Sequence, residues 1–128
     1  MRILIVEPDR VPYEKEIAPT LGAMQEVVGG TIQAVYPFEE PVALVCNDDG
    51  KLLGLPLNRA LYEPTTGQLY DVIAGTFFLC GTPPNGETFS SLSTAEIQKF
   101  SKRFCRPEAF VRFGRTLIPV PMGKTDRG

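Results

Sequence analysis

Apolar positions recur along this chain with two periods, and the switches between them mark its elements. Arg2 to Val6 is short, apolar and rich in branched side chains, which predicts a first buried strand. Glu7 to Pro19 holds three prolines and reads as a connection. Leu21, Met24, Val27 and Val28 then fall at helical spacing, so a helix is expected over 21–28. Thr20 is placed to cap it, and Gly29-Gly30 to close it with a left-handed residue. Thr31–Tyr36 and Val42–Cys46 read as strands. Asn47-Asp48-Asp49-Gly50 reads as a tight hairpin turn, with Lys51–Leu53 beginning the return strand.

Beyond Gly54 the pattern loosens. Residues 54–61 are leucine-rich and irregular, and Glu63 to Gly67 is a polar surface loop. Asp71 to Cys80 is apolar nearly throughout and predicts one central strand, with Gly75 marking a bulge or a close backbone approach. Gly81 to Ser91 is a loop. Ser93-Thr94-Ala95-Glu96 is a capping box, the strongest local signal in the chain, and Leu92 and Ile97 stand where a hydrophobic staple belongs. Ile97, Phe100 and Phe104 share one face of the helix that follows, which Pro107 stops near Cys105. Phe110–Phe113 and Thr116–Val120 flank Gly114-Arg115 and predict a last hairpin, its second strand confined to an edge by Pro119 and Pro121. The expected fold is α+β: one domain over 1–121, a mainly antiparallel sheet of five to seven strands, two helices, and a flexible tail over 122–128.

The 128 residues suffice for one core without disulfide staples. Three dispersed cysteines, Cys46, Cys80 and Cys105, read as free thiols in a reducing cytosol. No apolar run reaches the roughly 18 residues of a membrane span, and residues 1–6 are too short for a signal-peptide core. The net charge of −2 conceals a split. Residues 1–98 carry 13 acidic and 5 basic side chains, a net of −8, whereas residues 99–128 carry 8 basic and 2 acidic, a net of +6. Either the basic end meets an anion or an acidic face of a neighbouring subunit, or it is a solvated helix face and a tail.

There is no histidine, which removes the commonest general base, its triads and most zinc sites. No glycine-rich phosphate loop occurs. Asp48-Asp49-Gly50 lacks the alternating ligands and closing glutamate of a calcium loop. Binding without catalysis, metal or cofactor is therefore the expected activity. Arg59, beside Asn58 in a leucine-rich stretch, could clamp a phosphate, or pair structurally with an acid such as Asp71; Asn58 could serve a base edge or a backbone group. Phe89, flanked by hydroxyls, could stack on a base or pin its loop to the core.

Three segments carry a resemblance: Met24 to Val35, Asn47 to Leu61, and Ile73 to Phe77. They resemble a family of small proteins of undefined function from phages and mobile elements of gut Firmicutes, over about residues 1–104. The chain also looks like the first type of phage Thoeris anti-defence proteins. That second resemblance implies a sponge in the host cytosol that sequesters cyclised ADP-ribose or a cyclic oligonucleotide and assembles as a homo-oligomer, with a hexamer as the candidate form. It makes Arg59, Phe89, Arg103 and Arg106 the candidate ligand contacts, with Asn58 beside them. The alternatives are a mobile-element module that inhibits a host defence enzyme and a weak nucleic-acid binder working through the basic end; the acidic overall balance speaks against the latter.

Overall fold

The computed structural model describes residues 1–84 and 88–122. The expected tail over 122–128 lies outside them except for Met122, as do Asn85, Gly86 and Glu87 of the loop before the second helix.

The architecture is α+β, with antiparallel pairing throughout. Strands β1 (Arg2–Val6), β2 (Tyr13–Glu16), β3 (Ile32–Val35), β4 (Val42–Asn47) and β7 (Phe77–Gly81) form a central sheet in the order β2-β1-β7-β4-β3. Two hairpins stand apart from it: β5 (Leu57–Tyr62) with β6 (Leu69–Ala74), and β8 (Glu108–Phe113) with β9 (Thr116–Pro121). The helices are α1 (Leu21–Val28) and α2 (Thr94–Arg103).

The central strands β1, β4 and β7 are apolar on both faces because both faces are covered. Ile3, Ile5, Ala43, Val45, Phe78 and Cys80 point to one side, where Val28 and Met24 of α1 meet them. Leu4, Val6, Val42, Leu44, Phe77 and Leu79 point to the other, against Ile97, Phe100 and Phe104 at α2 and Leu61 and Ile73 of the β5–β6 hairpin. The alternation along each strand assigns these sets, and the register fixes it, with Leu79 opposite both Leu4 and Leu44.

Both helices begin as the sequence indicates. The Thr20 side chain accepts from the Ala23 amide, and Gly29 closes α1 at φ 78°. Ser93 and Glu96 form the reciprocal capping box of α2. That helix ends at Arg103, with Phe104 as its cap, so Arg106 lies beyond it and not on it.

Four stretches depart from the expected elements. The connection over 7–19 contains β2, an exposed edge strand whose sequence, Tyr-Glu-Lys-Glu, has no apolar alternation to announce it. Lys51–Leu53 is a turn and not a return strand: the chain leaves the central sheet after Asn47 and crosses its face. Residues 57–62, expected to be irregular, are strand β5. The apolar run 71–80 is two strands in different sheets, broken at Gly75 (φ 84°), whose amide donates to the Pro56 carbonyl at 2.7 Å. A turn does stand at Asn47–Gly50, with the Asp49 amide donating to Asn47 Oδ1, but it closes no hairpin, since β4 lies between β7 and β3. Gly50 is there for space, because a Cβ would stand 2.7 Å from the Ala74 carbonyl oxygen. No helix among the described residues is long and apolar enough to cross a membrane.

Candidate functional site

The residues singled out in the sequence do not converge. Asn58 and Arg59 are both 0% exposed. Arg59 carries five N–H donors, and five contacts use them. Nε and Nη2 donate to the Phe104 carbonyl at 3.3 and 2.9 Å, Nη2 also to the Arg10 carbonyl at 2.7 Å, and Nη1 to the carbonyl and Oδ1 of Asn58 at 3.4 and 2.9 Å. The Asn58 amide is spent in the same way, Nδ2 donating to the carbonyls of Val6 at 2.8 Å and Gly75 at 2.9 Å. Burial pulls the Arg59 pKa below the ordinary guanidinium value, and the neighbouring Glu108 carboxylate opposes that fall. This corrects the ligand role expected of the pair. With no donor left over and no exposed surface, they tie β1, β5, the Gly75 corner and the end of α2 together. Asp71, the acid expected to balance Arg59, instead meets Lys51 at 2.6 Å.

Arg103 lies on the α2 side of the sheet, its guanidinium 4.9 Å from the Phe38 ring centre and 5.9 Å from that of Phe100. Lys99, one turn earlier, pairs with Glu40, whose pKa falls below the ordinary carboxylate value through that contact. Arg106 is exposed and donates from Nε and Nη2 to the Met122 carbonyl at 3.3 and 3.2 Å, fastening the end of β9 to the chain before β8.

Phe89 lies elsewhere, on the α1 side. It is half-buried against the cluster of Ile3, Val45 and Phe78, so it does anchor its loop. It also lines a cavity of about 740 Å³ together with Met1, Pro19, Met24, Tyr36, Thr82 and Thr88. The topology builds this site. Because β1 and β7 run antiparallel, the start of β1 and the end of β7 share one end of the sheet. The end of β3 comes there through its pairing with β4. Pro19, just before α1, and Met24 on it reach over the same corner, and the Ser90 bridge to Gly81 brings Thr88 and Phe89 in from the other side. Nothing in residue spacing foretold the set, and only Phe89 was legible as a candidate.

The walls are two thioethers, a proline and two aromatic rings, with the hydroxyls of Tyr36, Thr82 and Thr88 as polar groups. Among the described residues the lining carries no charged side chain. Such a cavity can enclose a planar or aliphatic group and meet its edge with a few hydrogen bonds. Among the described residues its lining holds no acid–base pair. Among the described residues no group of three or more His, Cys, Asp or Glu side chains could hold a metal ion.

No curated protein and no solved structure matches the chain. A family model does, over residues 1–105, which takes in the central sheet, both helices and every residue lining the cavity but leaves out the β8–β9 hairpin, and the chain thus belongs to the family described as a domain of unknown function, DUF3846.

Proposed function

We propose that this protein acts by binding alone, holding a small nucleotide signal by its base in the cavity beside Phe89 and so withholding it from an effector. The observation that carries this reading is the cavity: about 740 Å³, walled by Phe89, Tyr36, Met1, Met24 and Pro19, with three hydroxyls at hand. That volume lies within the range of small-molecule sites. Stacking on an aromatic ring suits any base, since every base has a π-face, and threonine hydroxyls can both donate to and accept from its edge. Among the described residues no lining side chain is charged, and the Met1 ammonium is engaged by Glu16 and the Ile17 carbonyl, so the phosphates of such a ligand project outward. The resemblance to Thoeris anti-defence sponges supplies the candidate ligands, cyclised ADP-ribose and cyclic oligonucleotides, and the setting, a mobile-element product in the bacterial cytosol.

The test is release. Protein incubated with a panel of these nucleotides, or with lysate of infected cells, is repurified and heat-denatured, and the supernatant is analysed by mass spectrometry. The reading requires an intact nucleotide from the wild type and much less from Phe89→Ala. A second reading draws on the same uncharged lining, since a methionine-walled cavity also takes an apolar side chain of a protein. A host defence enzyme that co-purifies with the wild type but not with Phe89→Ala, with no nucleotide released, would favour an inhibitory interaction module.

A further inference from the structure

We propose that the outer edge of β3 is a docking site for an extended, basic segment of a partner protein, which joins the central sheet as a further strand beside Ile32–Val35. β3 ends the order β2-β1-β7-β4-β3, so one of its sides is unpaired. The register says which groups face outward. The Asp48 amide donates to the Thr31 carbonyl at 2.8 Å, which makes Thr31 and Asp48 a hydrogen-bonded pair. Bonded and open pairs alternate along an antiparallel ladder. Gln33 and Val35 therefore bond to Cys46 and Leu44, while Ile32 and Ala34, opposite Asn47 and Val45, turn their N–H and C=O groups away from β4. A row of backbone donors and acceptors thus stands along a free edge.

Other edges of this fold are stopped against strand addition. β2 carries Glu14, Lys15 and Glu16, all exposed. The outward Ala60 amide of β5 is taken by Glu108, and the outward Val72 amide of β6 by Asp71. β9 holds Pro119 and Pro121. Charges, prolines and covering groups are the devices that keep foreign strands off an edge. Ile32-Gln33-Ala34-Val35 has no charge and no proline, and among the described residues no side chain takes up the Ile32 or Ala34 amide.

Charge selects the occupant. Gln33 and Val35 lie on the α2 side of β3, where they line one cleft with Asp48, Asp49, Asp71 and Lys51. Lys51 is spent on Asp71 at 2.6 Å. Asp48 and Asp49 are exposed, and among the described residues neither meets a cation in an ion pair. A strand added to β3 lies two strand spacings, roughly 10 Å, from β4 and its extension at Asp48. A lysine or arginine directed to that face spans the gap. The alternate side chains fall on the α1 side, beside Ile32 and Ala34, which pack against the apolar cluster there and suit apolar neighbours. The fitting strand therefore alternates basic with apolar residues. A second copy does not meet this requirement: residues 1–98 carry a net of −8, and pairing two β3 edges would set one acidic body against another.

The probe is a short acetylated peptide alternating lysine and valine, titrated into the full chain and followed by fluorescence anisotropy and amide hydrogen exchange. Binding is expected, with new protection at the Ile32 and Ala34 amides and none at Glu14 and Glu16 of β2. The same peptide methylated on its backbone nitrogens keeps its charge and should bind about tenfold more weakly or worse. Gln33→Lys, which copies the charge guarding β2, and Asp48→Asn/Asp49→Asn should each weaken binding about fivefold, most at low salt. All three positions are exposed, so the circular-dichroism spectrum should not change. Equal binding by the methylated peptide or by a glutamate–valine counterpart overturns the proposal. So does undiminished binding by the folded variants, protection that never reaches Ile32 and Ala34, or protection of these amides by self-pairing without peptide. Nucleotide release from the Phe89 cavity is judged separately, since neither Ile32 nor Ala34 lines it.

Discussion

Arg59 and Phe104 are joined twice, through two guanidinium nitrogens donating to one carbonyl. That carbonyl belongs to the cap of α2, where helix carbonyls lack partners and the helix dipole is negative. A buried cation thus finds its counter-charge in backbone dipoles. Arg59→Ala would leave the carbonyls of Phe104 and Arg10 and the Asn58 amide oxygen without these donors. Losses of this kind cost roughly 3–5 kcal/mol, so the variant should show a much lower urea midpoint or fail to fold. A midpoint within error of the wild type would refute this account of how α2 is docked.

Much of the fold was written locally and much of the site was not. The capping box, the glycine at Gly29 and the doubly apolar β1, β4 and β7 are decided by neighbouring residues, and they were legible. Strand β2 was hidden because an edge strand exposed on every side needs no apolar pattern. Strand β5 was hidden because Asn58 and Arg59 interrupt it, and their partners are carbonyls, which leave no mark in a sequence. Arg59 was recognisable as a charge requiring partners, but not as one whose partners use all of it. The cavity eluded reading for another reason. Met1, Met24, Tyr36, Thr82 and Phe89 come from separate stretches, and only the closing of the sheet corner assembles them.

Gly75 is the corner between β6 and β7. At φ 84° with a would-be Cβ 2.7 Å from Leu55 Cδ1, it resists any side chain. Its carbonyl also receives the Asn58 amide. Gly75→Ala is expected to cost more than the ~1 kcal/mol of an ordinary left-handed glycine, because strain and contact add. Chemical denaturation would measure it, and Gly114→Ala, with nothing within 4 Å, supplies the comparison with conformation alone. Equal costs at the two sites would show that Leu55 gives way freely.

The thiols should divide by burial. Cys80 is buried in β7 and desolvation pushes its pKa up to about 12, while Cys46 is raised by burial first and by Asp71 and Asp48 after it. Cys105 is exposed. Thiolate is the reactive form, so iodoacetamide at pH 8 should label Cys105 quickly and the other two only on unfolding. The same shift has a sign for stability. A thiol whose folded pKa is raised binds its proton longer in the folded state. Its contribution is fully present below the unfolded value and is lost as pH rises toward 12. Stability should therefore decline above about pH 9, and Cys80→Val should flatten that decline. A decline identical in the variant would assign it to other groups.

Tyr36 and Phe89 separate binding from folding at the cavity. Tyr36 is 61% exposed and takes no part in the cluster beneath Phe89, so Tyr36→Ala should alter stability by about 0.5 kcal/mol or less. Phe89 anchors its loop as well, and Phe89→Ala should lower both stability and affinity. If a base lies between these rings, each substitution should remove about 1–3 kcal/mol of stacking, roughly five- to 150-fold in the dissociation constant. Arg103 and Arg106 face the other side of the sheet. Arg103→Ala should lose only its cation–π contact, about 0.5–1 kcal/mol of stability, and Arg106→Ala should loosen the hold on Met122; neither should change nucleotide affinity. Calorimetry on the four folded variants decides between the sites. Unchanged affinity in Tyr36→Ala and Phe89→Ala, with a loss in Arg103→Ala or Arg106→Ala, would move the ligand to the α2 side and would return the phosphate to the arginines.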